Sequence, residues 1–254
     1  MAPDFMITSQ QNPRVKLIRA LQERARTRRK EGKIVLEGVR LIGDALAQGH
    51  RPDFIFYTPE AIDSLPPGQF EAEPVSAEIM RHISDTQQPQ GIIGVFPLPQ
   101  TALPSQPERV LILDGIRDPG NLGTMLRAAA AAGVQAVLLS PDCVDAYNPK
   151  VLRGGMGAHF RVALAALGWP QIADYCRGLR VYLADSAGDL RYDQADWSAA
   201  WALIVGSEAH GAGAEAAQLA QARITIPMSA ATESINAAMA ASVILFEAQR
   251  QRLG

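Results

Sequence analysis

The sequence holds two cysteines, Cys143 and Cys176, in 254 residues. Two thiols cannot staple a disulfide scaffold or complete a four-ligand zinc site, so a metal-independent chain from a reducing compartment is expected. Long apolar runs are missing as well. Stretches such as 128–132 and 201–205 fall far short of the roughly 18–20 residues that a bilayer span needs, so no membrane partner is expected. The opening MAPDFMITSQQNPR carries no apolar signal core, which favours a cytoplasmic protein. There is no G-x-x-x-x-G-K-[ST] triphosphate loop, no H-E-x-x-H and no G-x-S-x-G nucleophile elbow. The four histidines are scattered, and His210 reads as a loop residue rather than a base.

What is present is an ordinary globular composition, 48% apolar and 20% charged. The formal net charge of −2 taken whole argues against nucleic acid. That average hides an asymmetry. Nine basic residues lie between Arg14 and Lys33 against Glu23 and Glu31 alone, whereas residues 51–254 hold fourteen Lys/Arg against twenty-one Asp/Glu. A concentrated basic end is either a footprint for an anionic partner or a solvated helix face, and charge alone leaves both open.

A proline-rich stretch at 97–108, PLPQTALPSQPE, reads as an extended linker, because proline fixes φ and removes a donor. It separates residues 1–96 from 109–254. In the first segment a basic helix starts at Asn12-Pro13 and is expected to run to about Lys30, with Val15, Leu17, Ile18, Leu21 and Ala25 as its apolar stripe. Strands at 33–36, 54–57 and 91–96 and helices at 39–47 and 77–83 complete a small α/β body. The second segment repeats a βα rhythm. Continuous apolar strands at 110–113, 136–139, 180–184, 201–205 and 223–226 alternate with helices at 121–132, 170–177, 214–220 and 235–252. Such strands belong to a parallel sheet covered on both faces, whose ligands sit at the carboxyl ends.

Three loops fall at those ends. In Gly206–Gly213, GSEAHGAG, the tail loosely fits a dinucleotide-binding spacing but follows the penultimate strand, where that fingerprint does not belong. The loop 227–236, PMSAATESIN, is made of small residues, and Ser234 there can cap the last helix. In 114–127, DGIRDPGNLGTMLR, Asn121 is a candidate N-cap, and Arg127 stands alone among alanines, either snorkelling to solvent or aimed at an anion.

Jointly and in this order, DPGNLGTMLRAAAAAG, LIVGSEAHGAG and ITIPMSAATESINAAMAASVILFEAQRQR resemble the three motifs of the SpoU family of RNA ribose 2′-O-methyltransferases, within the knotted SPOUT superfamily. YNPKVLRGGMGAHFRV is similar to a stretch the family carries between motifs one and two. SQQNPRVKLIRAL, KIVLEGVRLIGDAL and DTQQPQGIIGVF bear a looser likeness to its N-terminal substrate-binding domain, related to ribosomal protein L30e.

The resemblance implies an α/β fold whose C-terminal parallel sheet carries a deep trefoil knot, beside a small L30e-like α/β domain. It implies S-adenosylmethionine as methyl donor, held by Gly206, Gly211, Ile226, Met228 and Ile235, and a homodimer packed through the knot helices. Asn121, Arg127, Glu208, Ser234 and Asn236 would form the catalytic group. RNA would be the substrate, ribosomal RNA before tRNA, gripped by Arg14, Lys16, Arg24, Arg28, Arg29 and Lys30. Family proposals make Arg127 the base, but a guanidinium with a pKa above 12 suits a phosphate clamp better. The chain has Ala230 and Ala238 where many members carry glycine and serine. A non-catalytic RNA-binding protein retaining the fold is the competing reading.

Overall fold

The computed structural model describes residues 6–207, 211–229 and 234–253. The chain divides into two units: residues 1–99 with 147–153, and residues 100–146 with 154–254.

The first unit opens on α1 (Pro13–Glu23) and α2 (Ala25–Glu31). The single basic helix expected from sequence is therefore two. The apolar stripe Val15, Ile18, Leu21 stops at Leu21, and Arg24 adopts an extended conformation between the helices (φ −126°, ψ 113°). Beyond that point no side chain of α2 reaches the interior except Arg28. A four-stranded sheet follows, built from β1 (Lys33–Glu37), β2 (Phe54–Tyr57), β3 (Ala72–Pro74) and β4 (Ile92–Pro97) in the order β1-β4-β2-β3. Helices α3 (Val39–Ala47) and α4 (Ala77–Ile83) complete the body, with Ile18, Leu21, Phe56, Ile79 and Val95 in one core cluster.

The second unit is a seven-stranded, wholly parallel sheet. In chain order it contains β5 (Arg109–Asp114), α5 (Pro119–Ala131), β6 (Ala136–Leu139), β7 (Ala163–Ala166) and α7 (Trp169–Tyr175), while α6 (Pro149–Gly155), which follows β6 in the chain, belongs to the first unit as far as Arg153. There follow β8 (Arg180–Ala184), β9 (Leu190–Arg191), β10 (Trp201–Gly206), α8 (Ala214–Leu219), β11 (Ala222–Thr225) and α9 (Ala237–Leu253). The strand order is β7-β6-β5-β10-β8-β11-β9. Val110, Ile112, Leu138, Val181 and Ile204 pack on one face against Ile172 and Ala216 of α7 and α8. Leu111, Leu113, Val137, Leu203 and Val205 alternate with them, point to the other face, and are equally buried.

On that other side α5 and α9 lie side by side and parallel. Asn121 meets Asn236 at their N-terminal ends, and Gln249 donates to the Ala131 carbonyl farther along. The chain direction reverses its strand order at β5, where β6 lies on one side and β10 on the other. Such a point leaves a crevice beyond the strand ends.

Candidate functional site: two adjoining cavities at the strand ends

Two cavities open at the carboxyl ends of this sheet. The larger, about 930 Å3, lies beyond β8, β10 and β11. Gly206, Gly211, Ile226, Met228 and Ile235 all line it, as do Ser234 and Asn236. The smaller, about 530 Å3, lies beyond β5 and β6 and is lined by Asp114, Arg117, Asn121, Asp142, Trp169 and Glu215 among others. Both volumes fall in the range of small-molecule sites. Ser207, Gly211 and Ala237 line both, so the loop after β10 is their shared wall.

The glycines of that loop have steric reasons. A Cβ on Gly206 would collide with the backbone of Gly211 and Ala212, because the loop folds back onto the strand end. Gly211 itself takes φ +66°, a left-handed conformation open to glycine at little cost. Ser207 and Gly211 exchange two backbone hydrogen bonds of 2.9 Å, which pinch the base of the loop. At its far end the Gly213 amide donates to Oδ2 of Asp114 at 2.7 Å. Oδ1 of the same buried carboxylate accepts the Ser140 hydroxyl at 2.8 Å. Asp114 thereby ties together the ends of β5 and β6 and the start of α8. No motif pointed to it in the sequence. Its place as the last residue of an apolar parallel strand was the available signal.

Both expected helix caps move. Asp118, not Asn121, is the N-cap of α5, accepting the Asn121 amide at 2.7 Å. The Asn121 side chain is directed instead to Asn236, whose Nδ2 donates to Asn121 Oδ1 at 3.2 Å. Asn236 in turn caps α9, its Oδ1 accepting the amides of Ala238 and Met239 at 2.9 and 3.2 Å, so Ser234 is not the cap. An amide side chain that caps with its oxygen has its NH2 group to spare for a partner. Asn121 lines the smaller cavity and Asn236 the larger, so their bond spans the boundary between the two.

Other expected residues are placed differently. Arg127 is exposed on α5 and lines neither cavity; it lies six residues, about 9 Å, along the helix from Asn121. Glu208 lies outside the described residues. In the first unit Lys16, Arg24, Arg29 and Lys30 are exposed. Arg14 is held by Glu71 at 2.7 Å and by Glu73, with its guanidinium 4.8 Å from the Phe54 ring centroid. Arg28 is 3% exposed and donates to the carbonyls of Leu21 and Gln22, satisfying the end of α1 from inside. Beside the smaller cavity, the Cys143 thiol donates to the Leu113 carbonyl at 3.2 Å and burial pushes its pKa up, which makes it a poor nucleophile. Asp185, just past β8, also lines the larger cavity, although that strand end was not among the loops singled out in the sequence.

Residues 108–246 match the SpoU rRNA Methylase family, and residues 12–94 match the MRM3-like substrate binding domain. The chain belongs to the SpoU rRNA methylase family. A mitochondrial rRNA methyltransferase 3 from Mus musculus is 37% identical over 88% of this chain and 69% of its own length. The Bacillus subtilis 23S rRNA (guanosine(2553)-2'-O)-methyltransferase RlmP is 32% identical over 94% of this chain and 97% of its own. An AdoMet-bound rRNA methyltransferase from Sinorhizobium meliloti superposes with a TM-score of 0.85 at 29% identity, covering 98% of this chain and 99% of that one. This member of the SpoU family is an RNA methyltransferase with an α/β fold around a parallel sheet.

Proposed function

We propose that the larger cavity holds S-adenosylmethionine and that the smaller receives the nucleotide whose ribose 2′-hydroxyl is methylated. The observation that carries this reading is the shared wall, crossed by the Asn236–Asn121 bond, between two cavities of suitable size. The residues present suit the donor. Gly206 and Gly211 expose main chain to the cavity, and Ile226, Met228 and Ile235 supply apolar surface for an adenosine and a thioether-like chain. When bound, the sulfonium supplies an activated methyl group. The protein's part is alignment for an in-line displacement, with the hydroxyl held at the boundary by the two asparagines.

The hydroxyl must also lose its proton, and among the described residues no histidine or cysteine lines either cavity. Arg127 clamps a backbone phosphate and stabilises the developing alkoxide while the proton leaves to water. Arg127 is too far along α5 to serve its own cavities. It comes from a second copy: Met239, Val243 and Phe246 form an exposed apolar stripe on α9, beside α5, of the kind that marks an interface. Packing α5 and α9 across a two-fold brings each Arg127 to the other copy's smaller cavity. In this arrangement Glu208 and Ser234 orient the loops around the donor, and the chain past β11 threads the family's trefoil knot.

Lys16, Arg24, Arg29 and Lys30 supply phosphate contacts from the first unit, while Arg14 and Arg28 hold that unit together. Ribosomal RNA is favoured because both named sequence relatives above act on rRNA and match this chain across both units. This reading places the work in the cytoplasm. Calorimetry with S-adenosylmethionine followed by nucleoside mass spectrometry of treated rRNA tests the reading. Donor binding and a 2′-O-methyl nucleoside are expected; donor binding without transfer would leave a non-catalytic RNA-binding protein.

A further inference from the structure

The stretch 147–162, YNPKVLRGGMGAHFRV, lines neither cavity. Residues 147–153 belong with the first unit, and from Gly154 the chain is again part of the second. There it packs against α5 with unusual closeness. A Cβ built on Gly123 would lie 2.9 Å from Cα of Gly154 and 3.0 Å from both its carbonyl carbon and the Gly155 nitrogen. A Cβ on Gly154 would lie 3.3 Å from Gly123 Cα and 3.8 Å from the Gly120 carbonyl oxygen. Main chain thus rests on main chain, with no side chain between them to absorb a shift by changing rotamer.

Gly155 is backed in turn by a ring. A Cβ there would lie 2.8 Å from Cε1 and 3.1 Å from Nδ1 of His159. His159 is 2% exposed, and its Nε2 donates to the Ala146 carbonyl at 2.8 Å, so the ring is pinned. Burial lowers its pKa to about 4 and keeps it neutral, with the proton on Nε2 because a carbonyl only accepts. The layers therefore run from ring to glycine turn to helix. Gly123 stands two residues past Asn121, whose Oδ1 accepts Asn236 Nδ2 at the boundary of the two cavities.

We propose that Gly155 and His159 are positioning residues for methyl transfer: the ring supports the Gly154–Gly155 turn, the turn seats the start of α5, and the seat sets where Asn121 meets the ribose hydroxyl. This rests on the reading above that Asn121 holds that hydroxyl. A methyl group on Gly155 meets the pinned ring, so the turn yields toward the Gly123 backbone and carries Asn121 with it. In-line displacement is sensitive to such a shift, since about 1 Å of misplacement costs on the order of a hundredfold in rate. The larger cavity is lined by no residue of α5 or of 147–162, so donor binding is independent of the seat. Glutamine at 159 keeps a nitrogen donor for Ala146 and removes the rigid ring that faces Gly155.

The test uses the full chain, with kcat and KM from transfer of labelled methyl groups to rRNA, donor affinity by calorimetry and folded fraction by circular dichroism. Gly155→Ala is expected to lower kcat about tenfold or more, with KM for RNA and donor affinity within about twofold of the parent's. His159→Gln alone should keep at least about half of kcat, and adding it to Gly155→Ala should recover about fivefold or more. In an Asn121→Ala chain, which has lost the group being positioned, Gly155→Ala should cost less than about twofold further. Gly154→Ala, whose closest contact is 3.3 Å, should lower kcat about threefold and carries the test if Gly155→Ala does not fold. Parental kcat in both glycine variants overturns the seat while the cavity assignments stand. So does a fall in kcat matched by equal loss of donor affinity or of folded protein, or an undiminished cost in Asn121→Ala. Parental activity in Asn121→Ala itself, or no donor binding by the parent chain, removes the reading beneath it as well.

Discussion

Replacing Asp114 tests whether the loop wall between the two cavities is held from its far end. The carboxylate takes two hydrogen bonds, from the Ser140 hydroxyl at 2.8 Å and the Gly213 amide at 2.7 Å. Hydrogen bonds to a charged group contribute about 1.5–3 kcal/mol each. Gly213 is exposed, so water can take its amide once the carboxylate is gone. Asp114→Ala is therefore expected to destabilise the protein by about 3–4 kcal/mol, the lower end of the two-bond sum.

Asp114→Asn should cost only about 1 kcal/mol. Its carbonyl can face Gly213 and its NH2 group Ser140, whose proton turns to the Pro141 carbonyl 3.1 Å away. The same anchor holds Ser207 and Gly211 in place at the larger cavity. The alanine variant should thus bind S-adenosylmethionine at least about tenfold more weakly, the equivalent of 1.4 kcal/mol, and the asparagine variant only severalfold. Urea unfolding and isothermal calorimetry on the three proteins read both effects. An alanine variant with parental stability and donor affinity would refute the role given to Asp114.

Gly206→Ala places a methyl group against the Gly211 and Ala212 backbone and should reduce donor affinity more than tenfold in a calorimetric titration, with the fold retained by circular dichroism. His159 is wholly buried, and burial lowers its pKa to about 4 from an ordinary 6.5. The unfolded chain therefore takes up a proton that the folded one refuses, so stability should fall as pH drops from about 6.5 to about 4, by roughly 3 kcal/mol, and no further from this group below that. Denaturant titrations across that window should flatten in His159→Gln. Arg28→Ala should destabilise the first unit by about 2 kcal/mol, because two carbonyls at the end of α1 lose their buried donor. Lys30→Ala should leave stability within about 0.5 kcal/mol and instead lower the salt slope of RNA binding by about one phosphate contact.

The strands of the second unit were legible because a parallel strand buried on both faces must be an unbroken apolar run, as in 110–113 and 201–205. β7, ALAA, was not, since an alanine edge strand carries no such signature, and β9 and β3 have only two and three residues. The basic run of α1 and α2 reads as one surface helix until three-dimensional packing turns Arg28 inward, and spacing gives no sign of that. The five residues expected to hold the donor come from small-residue loops in a particular order, and all five line the larger cavity. Asp114, Asp142 and Trp169 were not, because they belong to three separate strand ends that only the closed sheet brings to one cavity. The helix caps slipped by three and by two residues where DPGN and SIN offer more than one capping side chain.

If each Arg127 serves the other copy, an equal mixture of Arg127→Ala and Asn236→Ala chains, each inactive alone, should recover about a quarter of parental activity, since half the dimers are mixed and carry one intact site. The most direct measurement remains the product. Ribosomal RNA incubated with the parent protein and S-adenosylmethionine, then digested to nucleosides and resolved by mass spectrometry, should yield a single new 2′-O-methyl nucleoside, absent with Arg127→Ala. A methyl group on a base, or no transfer to any RNA despite donor binding, would contradict the assignment of the two cavities.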